Sequence, residues 1–222
     1  MIPIFALVIL AAAPADPFQV ELREVLQKFG GDAQAMPPEF EDAVRRFRDA
    51  LLQRKDLTAI LQRKERYWPT VSRELAAQSL PVEFGFVALA ESHFDPAARG
   101  EISAGLWQFT APTARRFGLR VDAAADDRLD AGKSTRAAAA YLASLVAEFG
   151  PESFMLALAS YNAGEASVRR GLEQVARGKG GLRNAAHDYF ELYRQNLLGA
   201  EARAYVPKVI AAALVAGGRT AP

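Results

Sequence analysis

From Pro37 onward, apolar residues recur every three or four positions between short breaks, and no run alternates apolar and polar residues long enough to predict a strand. This periodicity predicts an all-α protein. One segment, from Val82 to Glu91, is apolar nearly all round, which is typical of a helix enclosed by other helices. We predict that it is the central helix of the fold and that Pro96 ends it.

The other periodic segments predict helices that surround the central one. Asp130 is placed to cap a long helix, and Gly150 is placed to stop it. Phe-Gly recurs at 29–30, 117–118 and 149–150, which indicates repeated helix capping rather than an internal repeat. Helices are predicted over residues 43–63, 70–78 after Pro69, 131–149, 153–161, a short stretch from 165, and 200–215, with a Gly-rich loop at 177–181.

The charge and the reactive side chains limit the chemistry that the chain can perform. Its 222 residues include 27 basic and 26 acidic ones, a net charge of +1, and no cysteine. That balance gives no field to attract nucleic acid, so we expect any polymer to be bound in a groove through shape and hydrogen bonds. With only His93 and His187, the usual zinc ligands are missing, and a cysteine nucleophile is impossible. We expect no metal and no cofactor, and catalysis by carboxylates or hydroxyls.

The first fifteen residues have the character of an export signal. Residues 2–13 are uncharged and apolar, too short to span a bilayer, and they run into small residues suited to cleavage. The first basic residue is Arg23, so a buried first helix or strand is the alternative. We therefore expect an exported protein without a stable membrane span, with a signal at 1–15, a helical N-terminal extension at 16–66, a main domain at 67–215 and a tail at 216–222. Simple helical packing is the simplest role for the extension.

Glu91 is the most unusual residue of the central helix. It follows Phe84, Val87 and Ala88 by seven, four and three positions, and so continues an apolar face. Burial penalises a charged carboxylate, which would raise its pKa and keep it protonated as a general acid. The alternative is a helix-end glutamate that faces solvent or pairs with Arg99, and periodicity alone favours this alternative.

Two further segments carry hydrogen-bonding side chains in apolar surroundings. Gln108 lies between Trp107 and Phe109, two expected core residues, so its amide must find partners inside the protein or face a cavity. Tyr161 and Asn162 lie at a predicted helix end, where they either cap the helix or contact a ligand. An acid, amides and tyrosines in one cleft would suit a neutral sugar polymer, because a buried acid can protonate a glycosidic oxygen.

Four motifs follow one another along the chain. They are Leu-Ala-Glu-Ser-His-Phe-Asp-Pro at 89–96, Gly-Leu-Trp-Gln-Phe at 105–109, Tyr-Asn-Ala-Gly at 161–164, and Glu-Ala-Arg-Ala-Tyr-Val-Pro at 201–207. In this order they resemble the family 1 lytic transglycosylases, most of all their membrane-bound D type. The resemblance covers residues from about 67 to 213 and implies a lysozyme-like helical fold. It also implies cleavage of peptidoglycan strands between N-acetylmuramic acid and N-acetylglucosamine.

In this resemblance, Glu91 matches the catalytic glutamate. It would protonate the leaving oxygen, the N-acetyl group of the substrate would stabilise the oxocarbenium-like centre, and the carboxylate would then deprotonate the muramic C6 hydroxyl to give a 1,6-anhydro sugar. Substrate assistance of this kind is a known exception to the two-carboxylate rule. One alternative is a hydrolytic lysozyme, for which Asp95 and Glu101 are the nearest second carboxylates in sequence. Another is an inactive peptidoglycan-binding protein, although binding needs no buried acid.

The resemblance also implies the residues that bind the substrate. Gln108 matches a groove position, and Tyr161 and Asn162 match a pair beside the glutamate. Tyr205 matches a late tyrosine whose hydroxyl returns to the catalytic centre, and a buried core ring is the alternative for it.

The loop after Glu91 departs from the family pattern. The family often has a serine about nine residues beyond the glutamate, where this chain has Gly100, and the following loop is one residue shorter. Ser103 is a candidate to compensate, and whether it does so stays open in the sequence.

Overall fold

The computed structural model describes residues 16–150, 152–178 and 185–218, with no side chains described at 185–187. The predicted signal at 1–15, the later part of the Gly-rich loop, the His187 side chain and the last four residues lie outside this description. Nearly all of the regular secondary structure in the described part is helical, as the periodicity predicts. Its α-helices are α1 Pro17–Lys28, α2 Pro38–Leu52, α3 Leu57–Ala77, α4 Phe86–Ser92, α5 Ala111–Arg116, α6 Ala131–Phe149, α7 Phe154–Ala163, α8 Glu165–Arg177, α9 Ala185–Arg194 and α10 Ala200–Ala216.

Two helix predictions in the first third of the chain were wrong. The helix expected over 43–63 is split between α2 and α3, and at the break Arg54 forms a bidentate ion pair with Asp56 at 2.8 Å. Pro69 does not precede a helix but lies inside α3. A proline removes one helical hydrogen bond, but buried residues on both sides of it pack into the same core, and this packing outweighs the local cost.

The central helix is shorter than predicted and ends for a different reason. Residues Val82–Gly85 form a 3-10 turn, and α4 then runs to Ser92. It ends because His93 and Phe94 adopt left-handed backbone conformations with φ of 53° and 57°, and not because of Pro96. The Phe94 N–H donates to the Ala88 carbonyl at 3.2 Å, and the Phe94 ring is fully buried, which holds this reversal in place. The enclosure of α4 is confirmed, since each of its residues other than Glu91 is buried.

The predicted caps are confirmed. The Asp130 side chain accepts a hydrogen bond from the Lys133 N–H at the start of α6, and Gly150 stops that helix. Gly30, Gly118 and Gly150 all have positive φ, at 66°, 82° and 94°, so each Phe-Gly pair ends a helix as predicted.

The N-terminal extension shares its core with the rest of the protein. One hydrophobic cluster contains Phe18, Phe40 and Val44 together with the interior of α4, α6, α7 and α10. Phe40 makes edge-to-face contacts with Tyr189, Phe190 and Tyr193 of α9, with ring centroids 5.3–6.0 Å apart. Helical packing, the simplest of the expected roles for this segment, is therefore observed.

A small hairpin interrupts the helices beside α4. Strand β1, Ser103–Ala104, pairs antiparallel with β2, Phe109–Thr110, which the helical periodicity did not predict because each strand has only two residues. Among the described residues, no single helix is long and apolar enough to cross a membrane, and one bent pair, α6 with α7, meets those criteria only jointly.

Candidate active site

Glu91 projects from the last turn of α4 into enclosed surroundings. Burial raises the pKa of its carboxyl, and this effect exceeds the opposite effect of a hydrogen bond that the Tyr205 hydroxyl donates to Oε1 at 2.7 Å. The partner of Glu91 is thus Tyr205 and not Arg99, so the predicted rise in pKa holds and the alternative favoured by periodicity does not. A carboxyl with a raised pKa stays protonated to higher pH than an ordinary glutamate, which suits it to donate a proton.

Two charged residues of α10 act on Glu91 with opposite signs. Lys208 lowers the pKa of Glu91, and Glu201 raises it. Glu201 precedes Tyr205 by four positions and Lys208 follows it by three, so all three lie on one face of α10. Both charged side chains belong to exposed residues, and solvent therefore weakens their influence.

Tyr161 lies beside the same carboxyl. Burial raises its pKa well above the usual value, with a further contribution from the Glu91 charge. Its hydroxyl donates to the Trp107 carbonyl at 2.8 Å, and its ring lies 5.2 Å from that of Tyr141. Gly164, with φ of 78°, caps α7, so Tyr161 is not needed as a cap.

Asn162 is connected to the site through a carboxylate. Its Nδ2 donates to Oε1 of Glu201 at 3.2 Å, and Glu201 is the residue whose charge acts on Glu91. Tyr205 is buried, and its hydroxyl donates to Glu91. It is therefore both a core residue and a hydrogen-bond partner of the glutamate.

Trp107 and Phe109 are core residues, and Gln108 between them is held by the loop at residues 98–108. The Trp107 ring is fully buried, and its Nε1 donates to the Thr135 hydroxyl at 3.0 Å. Gln108 has a positive φ of 48° and is only partly buried. Its backbone N–H donates to the Gly105 carbonyl at 3.2 Å, and its side chain makes further bonds.

Both amide hydrogens of Gln108 are used within the loop. Nε2 donates to the Gly105 carbonyl at 2.8 Å and to the Ala98 carbonyl at 3.3 Å. The Ser103 hydroxyl donates to Oε1 of Gln108 at 2.7 Å. Gln108 and Ser103 are thus bonded to each other, and toward a ligand Gln108 retains only acceptor capacity.

Ser92, which the sequence reasoning did not single out, connects this loop to Glu91. Its buried hydroxyl donates to the Leu106 carbonyl at 2.7 Å and accepts from the Asp95 N–H at 3.2 Å. Because Ser92 directly follows Glu91, it fixes the loop against the last turn of α4. The signal that could have indicated it is a serine next to a buried glutamate at a helix end.

Neither carboxylate that the sequence placed nearest to Glu91 acts on it in the structure. Asp95 accepts a hydrogen bond from the Ala97 N–H, and Glu101 is exposed on the turn before β1. Both lie in loops, as expected. Glu201, 110 positions along the chain from Glu91 and beyond the reach of sequence spacing, is the carboxylate whose charge influences it.

Comparison with known proteins identifies relatives of this chain. The transglycosylase SLT domain matches residues 69–182. The chain is 31% identical to the membrane-bound lytic murein transglycosylase D of Escherichia coli K12, over 84% of this chain and 39% of that protein. It is 33% identical to the membrane-bound lytic murein transglycosylase F of Shewanella oneidensis, over 64% of this chain and 29% of that protein. The chain thus spans less than half the length of these relatives.

The fold of this chain is similar to that of a solved structure. It is an inactive glutamate-to-glutamine mutant of the lytic transglycosylase Slt from Pseudomonas aeruginosa, with a TM-score of 0.57 and 23% identity over 92% of this chain and 37% of that one. The fold is accordingly the lysozyme-like helical fold that the motifs predict.

Proposed function

The chain belongs to the family of the transglycosylase SLT domain, and we propose that it is a lytic transglycosylase that cleaves the bond between N-acetylmuramic acid and N-acetylglucosamine in peptidoglycan strands. The observation that carries this proposal is Glu91, a partly exposed residue whose carboxyl is largely enclosed, has a raised pKa and accepts a hydrogen bond from the Tyr205 hydroxyl on Oε1. The names of the relatives, lytic murein transglycosylases, support the same activity.

In the first step, Glu91 donates its proton to the glycosidic oxygen. The C1–O bond of the muramic residue breaks, the leaving sugar departs with the proton, and positive charge develops at C1. The N-acetyl carbonyl of the substrate stabilises that charge. Because the substrate itself provides this stabilisation, the reaction needs no second carboxylate. The Tyr205 hydroxyl stabilises the carboxylate left on Glu91 by the bond that it already donates.

In the second step, the Glu91 carboxylate takes the proton of the muramic C6 hydroxyl. The C6 oxygen attacks C1 and forms the 1,6-anhydro ring, and Glu91 is again protonated and ready for another cycle. No water enters the product. A group that first gives and then takes a proton works best when its pKa lies near the working pH, which a raised carboxyl pKa favours.

We assign substrate contacts to the loop and to the end of α7. Both side-chain amide hydrogens of Gln108 and the hydroxyl hydrogen of Ser103 are already donated within the loop. Toward the substrate, Gln108 and Ser103 would therefore accept hydrogen bonds from sugar hydroxyls or from an N-acetyl N–H. Tyr161 and Asn162 would supply further contacts, next to Glu91 and Glu201. These contacts are neutral, as suits a chain whose net charge is +1.

An enzyme with this substrate works in the cell envelope, and we propose that location. Two relatives are named membrane-bound, and residues 1–15 would serve as the export signal.

The variant Glu91→Gln tests the catalytic assignment. Glutamine keeps an oxygen that can accept the Tyr205 hydrogen bond but cannot donate an acidic proton, so release of soluble fragments should stop while folding and binding to glycan strands persist. Release of fragments at the wild-type rate by E91Q would refute the mechanism. An inactive binding protein would show no release from either form, and this outcome would refute the proposed activity.

A further inference from the structure

The chain directly after Glu91 reverses through an unfavourable backbone conformation. His93 and Phe94 both have positive φ, at 53° and 57°, a region that residues other than glycine rarely adopt. Two such residues in succession persist only where surrounding contacts hold them. Because Glu91 lies in the last turn of α4, just before this reversal, the contacts that hold the reversal also fix the direction in which its carboxyl leaves the helix.

One of these contacts comes from a different helix. The N–H groups of His93 and Phe94 donate back to carbonyls of α4, at 3.0 and 3.2 Å. The His93 carbonyl instead accepts a hydrogen bond from Nε of Arg63, in α3, at 2.9 Å. A cationic donor is favourable at this place, since the C-terminal end of a helix carries partial negative charge.

This hydrogen bond is the specific interaction of Arg63. Its side chain is partly buried, and among the residues that the structure describes it forms no ion pair with a carboxylate. The guanidinium is therefore not held at the end of α4 by charge pairing with a neighbour. Its position follows from α3, the helix that carries it.

Close packing fixes α3 against the other end of α4. The Trp68 ring packs on that of Phe86, with ring centroids 4.9 Å apart. A Cβ at Gly85 would lie 2.7 Å from Cγ1 of Val71 and 2.8 Å from Cζ3 of Trp68, so the backbone before α4 is in direct contact with α3. This contact leaves α3 little freedom to shift, and Arg63 reaches the end of α4 from a rigid support.

We propose that Arg63 is a positioning residue for Glu91, because its hydrogen bond to the His93 carbonyl holds the reversal that directs the Glu91 side chain into the site. Its importance for catalysis rests on the proposed function. Arg63 lies in the N-terminal extension at 16–66, before the residues 69–182 that match the transglycosylase SLT domain. The extension thus contributes to the geometry of the site in addition to its share of the core.

Two substitutions at position 63 separate the hydrogen bond from the charge. Arg63→Met removes both, whereas Arg63→Gln removes only the charge, since the glutamine amide nitrogen lies as many bonds from the backbone as Nε of arginine. We expect R63M to lower the maximal rate of fragment release by about ten- to a hundredfold, because the acid is displaced. R63Q should stay within about threefold of wild type, since a neutral donor retains about half the strength of a charged one.

Arg66→Met is the matched control. Arg66 lies three positions further along the same helix, is exposed, and forms no hydrogen bond or ion pair with another described residue. Its replacement removes the same charge and adds the same apolar side chain, so R66M should release fragments at the wild-type rate.

The pKa of Glu91, measured by carboxyl ¹³C NMR and assigned by the signal missing in E91Q, tests the positioning without substrate. Burial is the main cause of the raised pKa, so an end of α4 that loosens and admits water should lower the pKa in R63M. Loss of the Arg63 charge alone would act in the opposite direction, since a cation favours the carboxylate. Tyr205, Lys208 and Glu201, which also act on this carboxyl, are unchanged in the variant.

These measurements separate the positioning role from the proposed function. A wild-type protein that releases no fragments would refute the function, while a lower pKa of Glu91 in R63M, with R63Q and R66M close to wild type, would still support the positioning. A merely structural role predicts a lower Tm with the pKa unchanged. An unchanged or higher pKa in R63M, its failure to fold, equal effects in R66M, or an R63Q variant as impaired as R63M would overturn the proposal.

Discussion

The Tyr205 hydroxyl donates a 2.7 Å hydrogen bond to Oε1 of Glu91 across 114 positions of the chain. This bond joins α10 to α4 and acts on the carboxyl against burial: enclosure raises the pKa of Glu91, while the hydroxyl lowers it. The protonated acid is favoured by its surroundings, and the carboxylate that remains after proton transfer already has a donor in place. Enclosure thus favours the acid form of Glu91, and the hydrogen bond from Tyr205 stabilises its base form.

Replacing Tyr205 by Phe removes that donor, and the pKa of Glu91 should rise further. The limb of the pH profile where activity falls because Glu91 is deprotonated should move to higher pH, and the maximal rate should fall by about tenfold or more, since the carboxylate loses its stabilising partner. The measurement is the rate of fragment release as a function of pH.

Tyr189→Phe is the matched control for this change. Tyr189 is also a fully buried tyrosine, but its hydroxyl has no hydrogen-bond partner among the described residues. We expect its pH profile to equal that of wild type and its Tm to be unchanged or slightly higher. Equal shifts in Y205F and Y189F would show that the effect comes from packing.

The difference in stability between Glu91→Gln and the wild type should depend on pH. The pKa of Glu91 is raised above its usual value of 4.5, so the wild type has its full stability below that value and loses this contribution as pH rises through the folded-state pKa. Glutamine does not titrate. The variant should therefore match the wild type in acid and exceed it at neutral pH, by about 2–4 °C in Tm for each 1 kcal/mol gained. A constant difference across pH would contradict a raised pKa.

Charges on α10 should shift the pH profile in opposite directions. Glu201→Gln removes a charge that raises the pKa of Glu91, so the deprotonation limb should move to lower pH. Lys208→Gln removes a charge that lowers this pKa, so the limb should move to higher pH. Both residues are exposed, and the shifts should shrink as salt is added. Shifts of the same sign in the two variants would contradict this assignment.

The bond between Trp107 and Thr135 should be worth measurable stability. Thr135→Val keeps the shape but leaves the buried Nε1–H of Trp107 without its acceptor, at a cost of about 1–3 kcal/mol in the free energy of unfolding. Thr135→Ser retains the hydroxyl and should lose far less. Chemical denaturation of the three proteins measures the difference, and equal losses in both variants would assign the effect to packing of the threonine methyl group.

The sequence predicted those features that depend on neighbouring residues. The cap at Asp130, the stop at Gly150 and the enclosure of α4 follow from local patterns, and all three agree with the structure. For Glu91, the spacing from apolar residues alone favours a helix-end position in solvent or paired with Arg99, and only the four motifs together indicate the site glutamate.

Features that depend on distant contacts could not be predicted. Pro69 continues α3 because tertiary packing on both sides of it outweighs its local cost. The influence of Glu201 and Lys208 on Glu91 requires α10 to pack against α4, and the capture of the Gln108 amide requires a turn that places Ser103 over Gly100. None of these contacts has a periodic signature.

The mass of the sugar released from peptidoglycan tests the central claim most directly. Purified protein is incubated with peptidoglycan, and the soluble muropeptides are weighed by mass spectrometry. A transfer within the substrate, with Glu91 as acid and then base, predicts 1,6-anhydro products that are lighter by one water than the hydrolytic ones. Reducing-end products one water heavier would show that water attacks C1, and they would contradict the lytic mechanism.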